Sequence, residues 1–344
     1  MKIKSFFQSN ISRIPRFFKQ WRLYGFSIAF CILFFPFNRF FGPLKPHIAG
    51  LKHRAILKYL SKRYINILNE FAGKATDTVS NIEPSSPLWV CWWDGEEAMP
   101  EIVKACYNSI KKYALTHPVK LITKHNFNEF ISLPEHILQK VNSKIMTVTH
   151  FSNILRANLL FDYGGIWMDS TILTLKNITL DDLPFYTLKA PAKKSVSVTL
   201  NRFAGLCNKS ARLNLKTINP QISRWSGFLF AGTKGNIIFD YMRQILYAYW
   251  KDHDDQIDYL LYDYTIALGY DNIPFMKKLI DNVPCSDAEK FDLEKNMNTE
   301  FSEENFAKYF STQFHKLAWK IKFNTHTKDG KLTIYGHILE GNNI

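Results

Sequence analysis

The sequence predicts an α/β protein with parallel strands at the centre of its sheet. Two short apolar segments with strand character, 88–92 and 119–123, are each followed by a segment with helical periodicity. Segment 150–171 then supplies another helix and another strand. Strands that alternate with helices are typical of a parallel sheet covered by helices. Hydrophobic residues make up 46% of the 344 residues, so the chain can bury a large core.

The amino-terminal segment carries most of the net positive charge. Residues 1–69 hold 13 Lys and Arg side chains and no acid, whereas the other 31 of the 44 basic residues nearly balance all 30 acids. Segment 24–37 is uncharged over 14 residues, which is shorter than the roughly 20 residues of a membrane-spanning helix. Aromatic residues between basic ones favour a helix lying at the interface of an anionic membrane. A basic helical extension packed on the main domain is an alternative, and a nucleic-acid arm is disfavoured because phosphate binding gains nothing from the apolar run.

The polar, turn-rich segment 73–86 predicts a linker after an amphipathic helix at 55–71. We therefore expect a helical, membrane-associating extension at residues 1–80 and a main domain at residues 81–344. The five cysteines show no C-x-x-C spacing and no His/Cys cluster for zinc. An odd number of cysteines without a disulfide framework indicates core thiols in a reducing compartment.

The first strand of the main domain ends in the sequence WWDGEE. A flat indole can stack on a nucleobase, although we expect at least one of Trp92 and Trp93 to be buried in the core. The following helix is expected to begin at Glu96 or Glu97. These two acids and Asp94 would favour the positive amino end of that helix.

Segment 150–171, HFSNILRANLLFDYGGIWMDST, is predicted to form a helix, a sharp stop and a short strand. Thr149 or Ser152 is the predicted N-cap, since a hydroxyl accepts hydrogen bonds from the free amides of the first turn. Asn153 and Arg156 are three residues apart, so a helix presents them on one face. Apolar residues recur at helical spacing on another face, namely Phe151, Ile154, Leu155 and Leu159.

Gly164 and Gly165 are expected to end this helix, because glycine adopts the left-handed conformation of a C-cap without strain. A buried strand at 166–168 follows and ends in Asp169. A carboxylate at the carboxyl end of a strand lies where α/β sheets bind their ligands. The simpler alternatives are a glycine cap without further function and an aspartate that only stabilises a turn.

The whole segment is more specific than its parts and resembles the capsular polysaccharide synthesis proteins, which look like members of glycosyltransferase family 32. FSNILRANLLFDYGGIWMDST is similar to their pattern F-S-D-x-L-R-x-x-L-L-x-x-Y-G-G-x-W-x-D-A-T, and a weaker resemblance extends over residues 87–323. Asn153 stands in place of the family's Asp, and Ser170 in place of an Ala. The resemblance implies a GT-A-like fold, a Rossmann-type mixed sheet flanked by helices, and a sugar-retaining transfer from a nucleotide-sugar donor.

The same resemblance implies roles for residues along the main domain. Trp93 becomes a candidate for stacking on the base of a UDP- or GDP-sugar, and Lys316 for binding its diphosphate. Asp258 and Asp263 become candidate catalytic residues facing the acceptor, although an acidic run such as 252–263 is usually a solvated helix start. The other donor-binding candidates are Asn153, Arg156, Gly164, Gly165, Ser226, Gly227 and Trp319.

The chemistry of such a transfer calls for a cation. A departing nucleoside diphosphate gains negative charge, which Mg²⁺ or Mn²⁺ can stabilise while bound to oxygen ligands. Asp169 offers one carboxylate, but Thr171 stands where the D-x-D motif of the wider superfamily has its second acid. We expect either a D-x-D-like metal site formed by Asp169 and Thr171, or a metal held by the diphosphate and a carboxyl-terminal ligand such as His315.

Several later segments can be assigned from local pattern. Segment 225–232 is predicted to be a strand entering the cleft, and segment 202–219 a loop over the active site. Segment 314–320 either closes over the diphosphate or forms a surface strand with its apolar residues facing inward. The pair Asp329-Gly330 predicts a hairpin turn between two strands.

We therefore expect a glycosyltransferase of bacterial capsule or surface polysaccharide synthesis, peripheral on the cytoplasmic face of the inner membrane. Its expected partners are a nucleotide-sugar donor, a lipid-linked saccharide acceptor and the anionic membrane surface, with no nucleic acid. A non-catalytic membrane-associated scaffold of a polysaccharide assembly is the alternative, because the motif lacks its second acid. A hydrolase is disfavoured, since the sequence contains neither G-x-S-x-G nor H-E-x-x-H.

Overall fold

The structure, a computed structural model, describes residues 13–34, 45–74, 80–180, 182–191, 196–200, 213–217, 224–286 and 289–341. The chain divides into two compact units. The first comprises Met1–Ala72, Pro191–Arg224 and Asp255–Ile273. The second comprises Gly73–Ala190, Trp225–Asp254 and Pro274–Ile344.

The strands are, in chain order, β1 (Leu88–Cys91), β2 (Val119–Ile122), β3 (Gly165–Met168), β4 (Ile172–Thr174), β5 (Phe185–Lys189), β6 (Val196–Leu200), β7 (Leu213–Thr217), β8 (Trp225–Gly232) and β9 (Phe314–Lys316). Five of them form the main sheet of the second unit, in the order β2-β1-β3-β8-β5. β1 is parallel to β2 and β3, whereas β8 is antiparallel to β3 and β5. The predicted α/β class with a Rossmann-type, GT-A-like mixed sheet is confirmed.

The α-helices are α1 (Arg13–Tyr24), α2 (Phe26–Phe34), α3 (Lys45–Arg63), α4 (Ile65–Ala72), α5 (Glu101–Tyr113), α6 (Phe127–Phe130), α7 (Glu135–Asn142), α8 (Val148–Tyr163), α9 (Ile237–Asp252), α10 (Leu261–Asn272), α11 (Pro274–Asn282), α12 (Asp292–Lys295), α13 (Glu303–Ala307) and α14 (Ile334–Glu340). In the second unit, α8 packs on β3 and α9 packs on α8. The sheet core is filled by large buried side chains such as Trp89, Trp167 and Phe230.

The helix expected at Glu96 or Glu97 begins later. Residues Glu96–Ala98 form only a 3-10 turn, and α5 begins at Glu101 after Pro100. Met99 is extended, with φ −70° and ψ 127°, because a residue before proline avoids the helical region. The prediction was therefore wrong by about one turn, and Asp94 and Glu96 instead form exposed ion pairs with Lys124 and Lys111.

Two other predicted segments also differ from the structure. The turn at Asp329-Gly330 is confirmed, since Gly330 has φ 78° and the Thr327 amide donates to the Lys331 carbonyl at 2.8 Å. The prediction of a strand after this turn is wrong. Helix α14 begins there instead, and the Thr333 side chain caps it by accepting from the Gly336 amide. Within the predicted loop 202–219, the described residues 213–217 form β7, paired antiparallel with β6, and the others lie outside the described residues.

The first unit is helical over most of its described residues. α1 and α2 meet at Gly25, which has φ 90°, and α2 packs on α3. The helix predicted at 55–71 is divided into α3 and α4 at Tyr64, and both pack against α10. No helix among the described residues is both long and apolar enough to cross a bilayer.

Four of the cysteines lie in described segments and have free thiols. Cys106 is buried, as expected of a core thiol, whereas Cys31 and Cys91 are only half-buried. Burial raises the pKa of Cys91 and of Cys106 to about 12. Cys285 is exposed, so the core assignment is wrong there. Cys207 lies outside the described residues.

Candidate active site

A cavity of about 640 Å³ lies in the second unit at the carboxyl ends of β1 and β3. Its volume is within the range of about 300–1,000 Å³ typical of small-molecule sites. The segments after β1, β3 and β9, the amino end of α8 and helix α12 provide its walls. Five residues predicted from the sequence line it together: Trp93, Asp169, Thr171, Lys316 and Trp319.

Helix α8 places two predicted residues directly behind this cavity. The helix begins after Thr147, whose side chain accepts from the His150 amide, so the expected N-caps Thr149 and Ser152 were wrong. The apolar stripe is confirmed, since all four of its members are buried. Asn153 and Arg156 share a face as expected, and Arg156 Nη1 donates to Asn153 Oδ1 at 3.0 Å.

Gly164 and Gly165 shape the turn from α8 into β3. Gly164 is the C-cap with φ 70°, and Gly165 follows with φ 94°. A Cβ on Gly165 would lie 2.0 Å from the carbonyl oxygen of Pro87, so no larger residue fits there. Both glycines lie at the amino end of β3, whereas the cavity lies at its carboxyl end. They set the path of the strand that delivers Asp169.

Asp169 is the central acid of the cavity. Its Oδ1 accepts from Arg156 Nη2 and from Trp167 Nε1, each at 3.0 Å. The Arg156 side chain is 4% exposed and lies over the Trp167 ring, whereas the Asp169 side chain is 32% exposed. The Asp169 amide donates to the carbonyl of Phe228 on β8 at 2.8 Å, which holds the backbone in place. The carboxylate is therefore oriented from behind and open toward the cavity.

Lys316 approaches the same carboxylate from the opposite strand. β4 and β9 pair antiparallel with Ile172 opposite Lys316, and the Leu317 amide donates to the Thr171 carbonyl at 2.9 Å. Lys316 Nζ donates to Thr171 Oγ1 and lies 3.7 Å from Asp169 Oδ2. This carboxyl-terminal segment reaches the cavity and contributes a cation beside Asp169, and its closure over a diphosphate stays a prediction.

Tryptophans form the apolar wall of the cavity. Trp93 is half-buried and contacts Phe127 and Phe151, with ring centroids 5.5 and 5.4 Å away. Trp92 is also half-buried and meets Trp319 edge to face at 5.6 Å. The expectation that Trp92 or Trp93 would be a core residue was wrong, because the strand ends one residue earlier than predicted.

The structure adds residues that the sequence did not single out. Lys290 Nζ donates to Ser226 Oγ at 2.8 Å, and the Lys290 carbonyl accepts from the Lys316 amide at 2.7 Å. Glu294, on α12, lines the cavity, and its pKa is raised by burial while the nearby ammonium of Lys316 opposes that rise. The stretch KFDLEK resembles an ordinary charged surface helix, so no local signal marked these residues.

Ser226 and Gly227 lie on β8 and are not part of the cavity lining. Ser226 is buried and binds Lys290, and its amide donates to Thr187 Oγ1 at 3.3 Å. Their predicted contact with the donor sugar is untested, and their observed contacts support the residues behind the cavity.

The surroundings of Asp169 fit the expected Mg²⁺ or Mn²⁺ poorly. Among the residues that the structure describes, no three His, Cys, Asp or Glu side chains converge on one point. His315 is fully buried, with Nε2 3.0 Å from the Tyr309 carbonyl oxygen, and burial lowers its pKa. The Thr171 hydroxyl, expected to face a metal, accepts instead from the ammonium of Lys316.

The two acceptor candidates belong to the first unit. Asp258 pairs with Lys52 at 2.8 Å, and its other oxygen accepts from the Leu260 amide at 3.0 Å, just before α10. Asp263 lies in the first turn of α10. The acidic run 252–263 therefore contains the start of helix α10, which is one of the two alternatives predicted for it.

Comparison with known proteins agrees with these observations. A family model described as capsular polysaccharide synthesis protein matches residues 40–338. This range includes every residue that lines the cavity. A search of curated proteins gives no match.

Proposed function

The chain belongs to the family of capsular polysaccharide synthesis proteins, and we propose that it is a glycosyltransferase that uses a nucleoside-diphosphate sugar as donor. One observation carries this proposal. Asp169, Arg156 and Lys316 come together beside an indole wall, at the edge of the sheet where α/β proteins bind ligands. Cations beside aromatic rings suit a molecule with a diphosphate and a base.

The proposed donor position follows from the chemistry of the walls. The half-exposed ring of Trp93 suits the base of UDP or GDP, because base–aromatic stacking contributes about 1–3 kcal/mol. The ammonium of Lys316 suits the diphosphate, which carries several negative charges. Arg156 is held by Asn153 and Asp169, so it orients the acid and adds positive potential behind it.

The proposed reaction transfers the sugar with retention, as the resemblance to family 32 implies. The protein binds and orients the donor, excludes water with the tryptophan wall, and places positive charge where the departing diphosphate gains negative charge. The acceptor is proposed to be a lipid-linked saccharide, and the covered pairing of Asp258 with Lys52 favours a structural role for that acid.

The first unit is proposed to bind the cytoplasmic face of the inner membrane. Four aromatic side chains of α1 and α2 are exposed and contact one another in sequence, with ring centroids 5.4–6.2 Å apart: Phe18, Trp21, Phe26 and Phe30. Exposed Arg16 and Arg22 lie on the same helix, α1. Aromatic rings between basic groups favour an anionic lipid surface, which also carries lipid-linked acceptors.

A non-catalytic scaffold is the second candidate, and the D-x-T sequence at Asp169 favours it. The two functions predict different results in a turnover assay. The full chain is incubated with a panel of UDP- and GDP-sugars, and release of the free nucleoside diphosphate is followed with and without extracted membrane lipids. A transferase releases UDP or GDP from one donor, whereas a scaffold releases none.

Variants connect that activity to the cavity. Arg156→Ala should weaken binding of the complete sugar donor more than binding of free UDP or GDP, as measured by calorimetry. Lys331→Ala is the matched control, because this cation pairs with Glu300 and does not line the cavity. Equal donor affinities for Arg156→Ala and the parent would remove Arg156 from the proposed site.

A further inference from the structure

We infer that the ammonium of Lys316 takes the place of a divalent cation at Asp169, so that the donor diphosphate is bound and released without a metal ion. This inference rests on the proposed transferase function. It assigns stabilisation of the diphosphate charge to a lysine side chain. The inference is based on the position of Lys316 relative to Asp169 and Thr171.

The carboxylate of Asp169 already has N–H donors and an ammonium as neighbours. Oδ1 accepts from the guanidinium of Arg156 and from the indole of Trp167. Oδ2 lies 3.7 Å from Lys316 Nζ, within ion-pair distance. Oδ1 therefore accepts two hydrogen bonds and Oδ2 has an ammonium within ion-pair distance, so a dication at Oδ2 would have to displace Lys316 or lie close to it.

The backbone determines where the ammonium lies. Antiparallel pairing of β4 and β9 sets Lys316 opposite Ile172, the residue after Thr171. From there Nζ reaches both Thr171 Oγ1 and the Asp169 carboxylate. In a D-x-D motif, positions 169 and 171 would both carry acids that share a bound cation. Here the cation near both positions is the ammonium of Lys316.

The charges at this end of the cavity favour the same assignment. Arg156 and Lys316 bring two positive charges to the single carboxylate of Asp169. Glu294 also lines the cavity, where burial raises its pKa and the ammonium of Lys316 opposes that rise. A dication bound at Asp169 would meet two cations at close range, whereas a diphosphate would be attracted by both. The arrangement suits an anionic ligand.

Lys316 forms and breaks no covalent bond in the proposed transfer step. The bond between the anomeric carbon and the β-phosphoryl oxygen breaks, and its electron pair stays on that oxygen. The acceptor hydroxyl oxygen bonds to the anomeric carbon, and its proton passes to the departing diphosphate. Lys316 remains an ammonium throughout and stabilises the charge that develops on the diphosphate.

The first measurement uses Mn²⁺ alone with the full chain, followed by the paramagnetic resonance signal of the free ion. We expect no saturable binding that depends on Asp169. Saturable Mn²⁺ binding by the parent that is lost in Asp169→Asn would overturn the inference. This readout needs no nucleotide, so a positive result would overturn the inference even if the proposed donor is wrong.

The second measurement titrates UDP and GDP by calorimetry, once with EDTA and once with Mn²⁺. We expect equal affinities in both buffers for the nucleotide that binds. Lys316→Ala should weaken that affinity at least tenfold, Lys316→Arg should retain most of it, and the control Lys331→Ala should match the parent. Loss of binding in EDTA, or parental affinity in Lys316→Ala, would overturn the inference.

A double variant supplies the positive test. Thr171→Asp with Lys316→Ala restores two acids in D-x-D spacing and removes the ammonium between them. We expect its nucleotide binding to become dependent on Mn²⁺, in contrast to the parent. Failure of UDP and GDP to bind the parent in either buffer would count against the transferase proposal, while the Mn²⁺ titration would still show whether Asp169 binds a metal ion.

Discussion

Two lysine–aspartate pairs in this chain use the same chemical groups in different surroundings. In the first unit, Lys52 Nζ lies 2.8 Å from Asp258, and the two side chains are 6% and 15% exposed. In the second unit, Lys316 Nζ lies 3.7 Å from Asp169, and the side chains are 21% and 32% exposed. The first pair is short and covered, whereas the second is longer and opens into a cavity.

The difference shows what separates a structural ion pair from a binding site. Both oxygens of Asp258 are engaged by N–H donors of its own unit, and the covered pair has little room for a ligand. Asp169 has two cations beside it, Arg156 behind and Lys316 across from it, and its carboxylate stays partly exposed to the cavity. A buried pair that loses one partner costs stability, whereas an open one is expected to cost function first.

The largest expected effect is on the open pair. Asp169→Asn should lower the rate of sugar transfer by on the order of a hundredfold, because Arg156 and Lys316 lose the charge that orients them. A hundredfold loss corresponds to about 2.7 kcal/mol of transition-state stabilisation. Unfolding free energy should fall less, by about 1.5 kcal/mol, since an amide oxygen still accepts from Arg156.

Transfer rate and melting temperature should be measured on the same Asp169→Asn preparation. Near-parental transfer would show that Asp169 only stabilises its turn. A fall in activity with a nearly parental melting temperature would support its function in the cavity.

The covered pair should respond in the opposite way. Lys52→Met leaves Asp258 without its cation, so the free energy of unfolding should fall by about 3 kcal/mol, a value typical of a broken buried pair. Affinity for UDP or GDP should remain parental, because Lys52 does not line the cavity. Denaturant titration and calorimetry test the two readouts.

Lys58→Met is the control for Lys52→Met, because Lys58 lies on the same helix, α3, and is exposed. It should change the unfolding free energy by less than about 0.5 kcal/mol. If Lys52→Met were no more destabilising than Lys58→Met, the contrast between covered and open pairs would fail.

A smaller effect is expected at the apolar wall beside the open pair. Trp93→Ala should weaken binding of UDP or GDP by about tenfold, within the 1–3 kcal/mol typical of base–aromatic stacking. Trp93→Phe should retain most of the affinity because a flat ring remains. Phe310→Ala serves as the control, since this exposed ring lies outside the cavity. Unchanged affinity in Trp93→Ala, measured by calorimetry, would place the base elsewhere.

The smallest expected effect concerns basic residues of the first unit that face solvent. Arg16→Gln should weaken flotation of the full chain with anionic vesicles by about fivefold, because one cation near such a surface contributes about 1 kcal/mol. The effect should shrink at high salt. Exposed Lys328, changed to Gln, is the matched control in the second unit. Equal loss in the two variants would show that net charge, and not α1, drives binding.

The comparison of the two pairs also shows where prediction from sequence succeeded. Segment 150–171 was assigned correctly as helix, glycine stop and strand, because helical spacing and glycine caps are local signals. The three-residue spacing of Asn153 and Arg156 predicted that they share one face of the helix, and their hydrogen bond confirms it. Membership of the capsular polysaccharide synthesis family, expected from the same segment, was also confirmed.

Prediction was weaker wherever a boundary or a partner depended on distant residues. The cap of α8 lies at Thr147, two residues before the nearer of the two predicted caps, because several hydroxyls in this stretch offer similar local signals. The segment after Gly330 has a pattern that suits either a strand or a helix, and the side chain of Thr333 decides for the helix. Lys290 and Glu294 had no local signal at all.

The sequence alone determined the α/β class, the glycine turn before the strand that ends at Asp169 and the concentration of positive charge in the first 69 residues. These features depend on short-range periodicity, on glycine conformation and on composition, all of which are visible in the printed chain. Tertiary structure decided that Lys316, 147 positions after Asp169, would lie beside it, and that Asp258 would be covered by Lys52. Strand pairing and packing bring distant side chains together, and the resulting distances and exposure determine whether an ion pair stabilises the fold or faces a ligand.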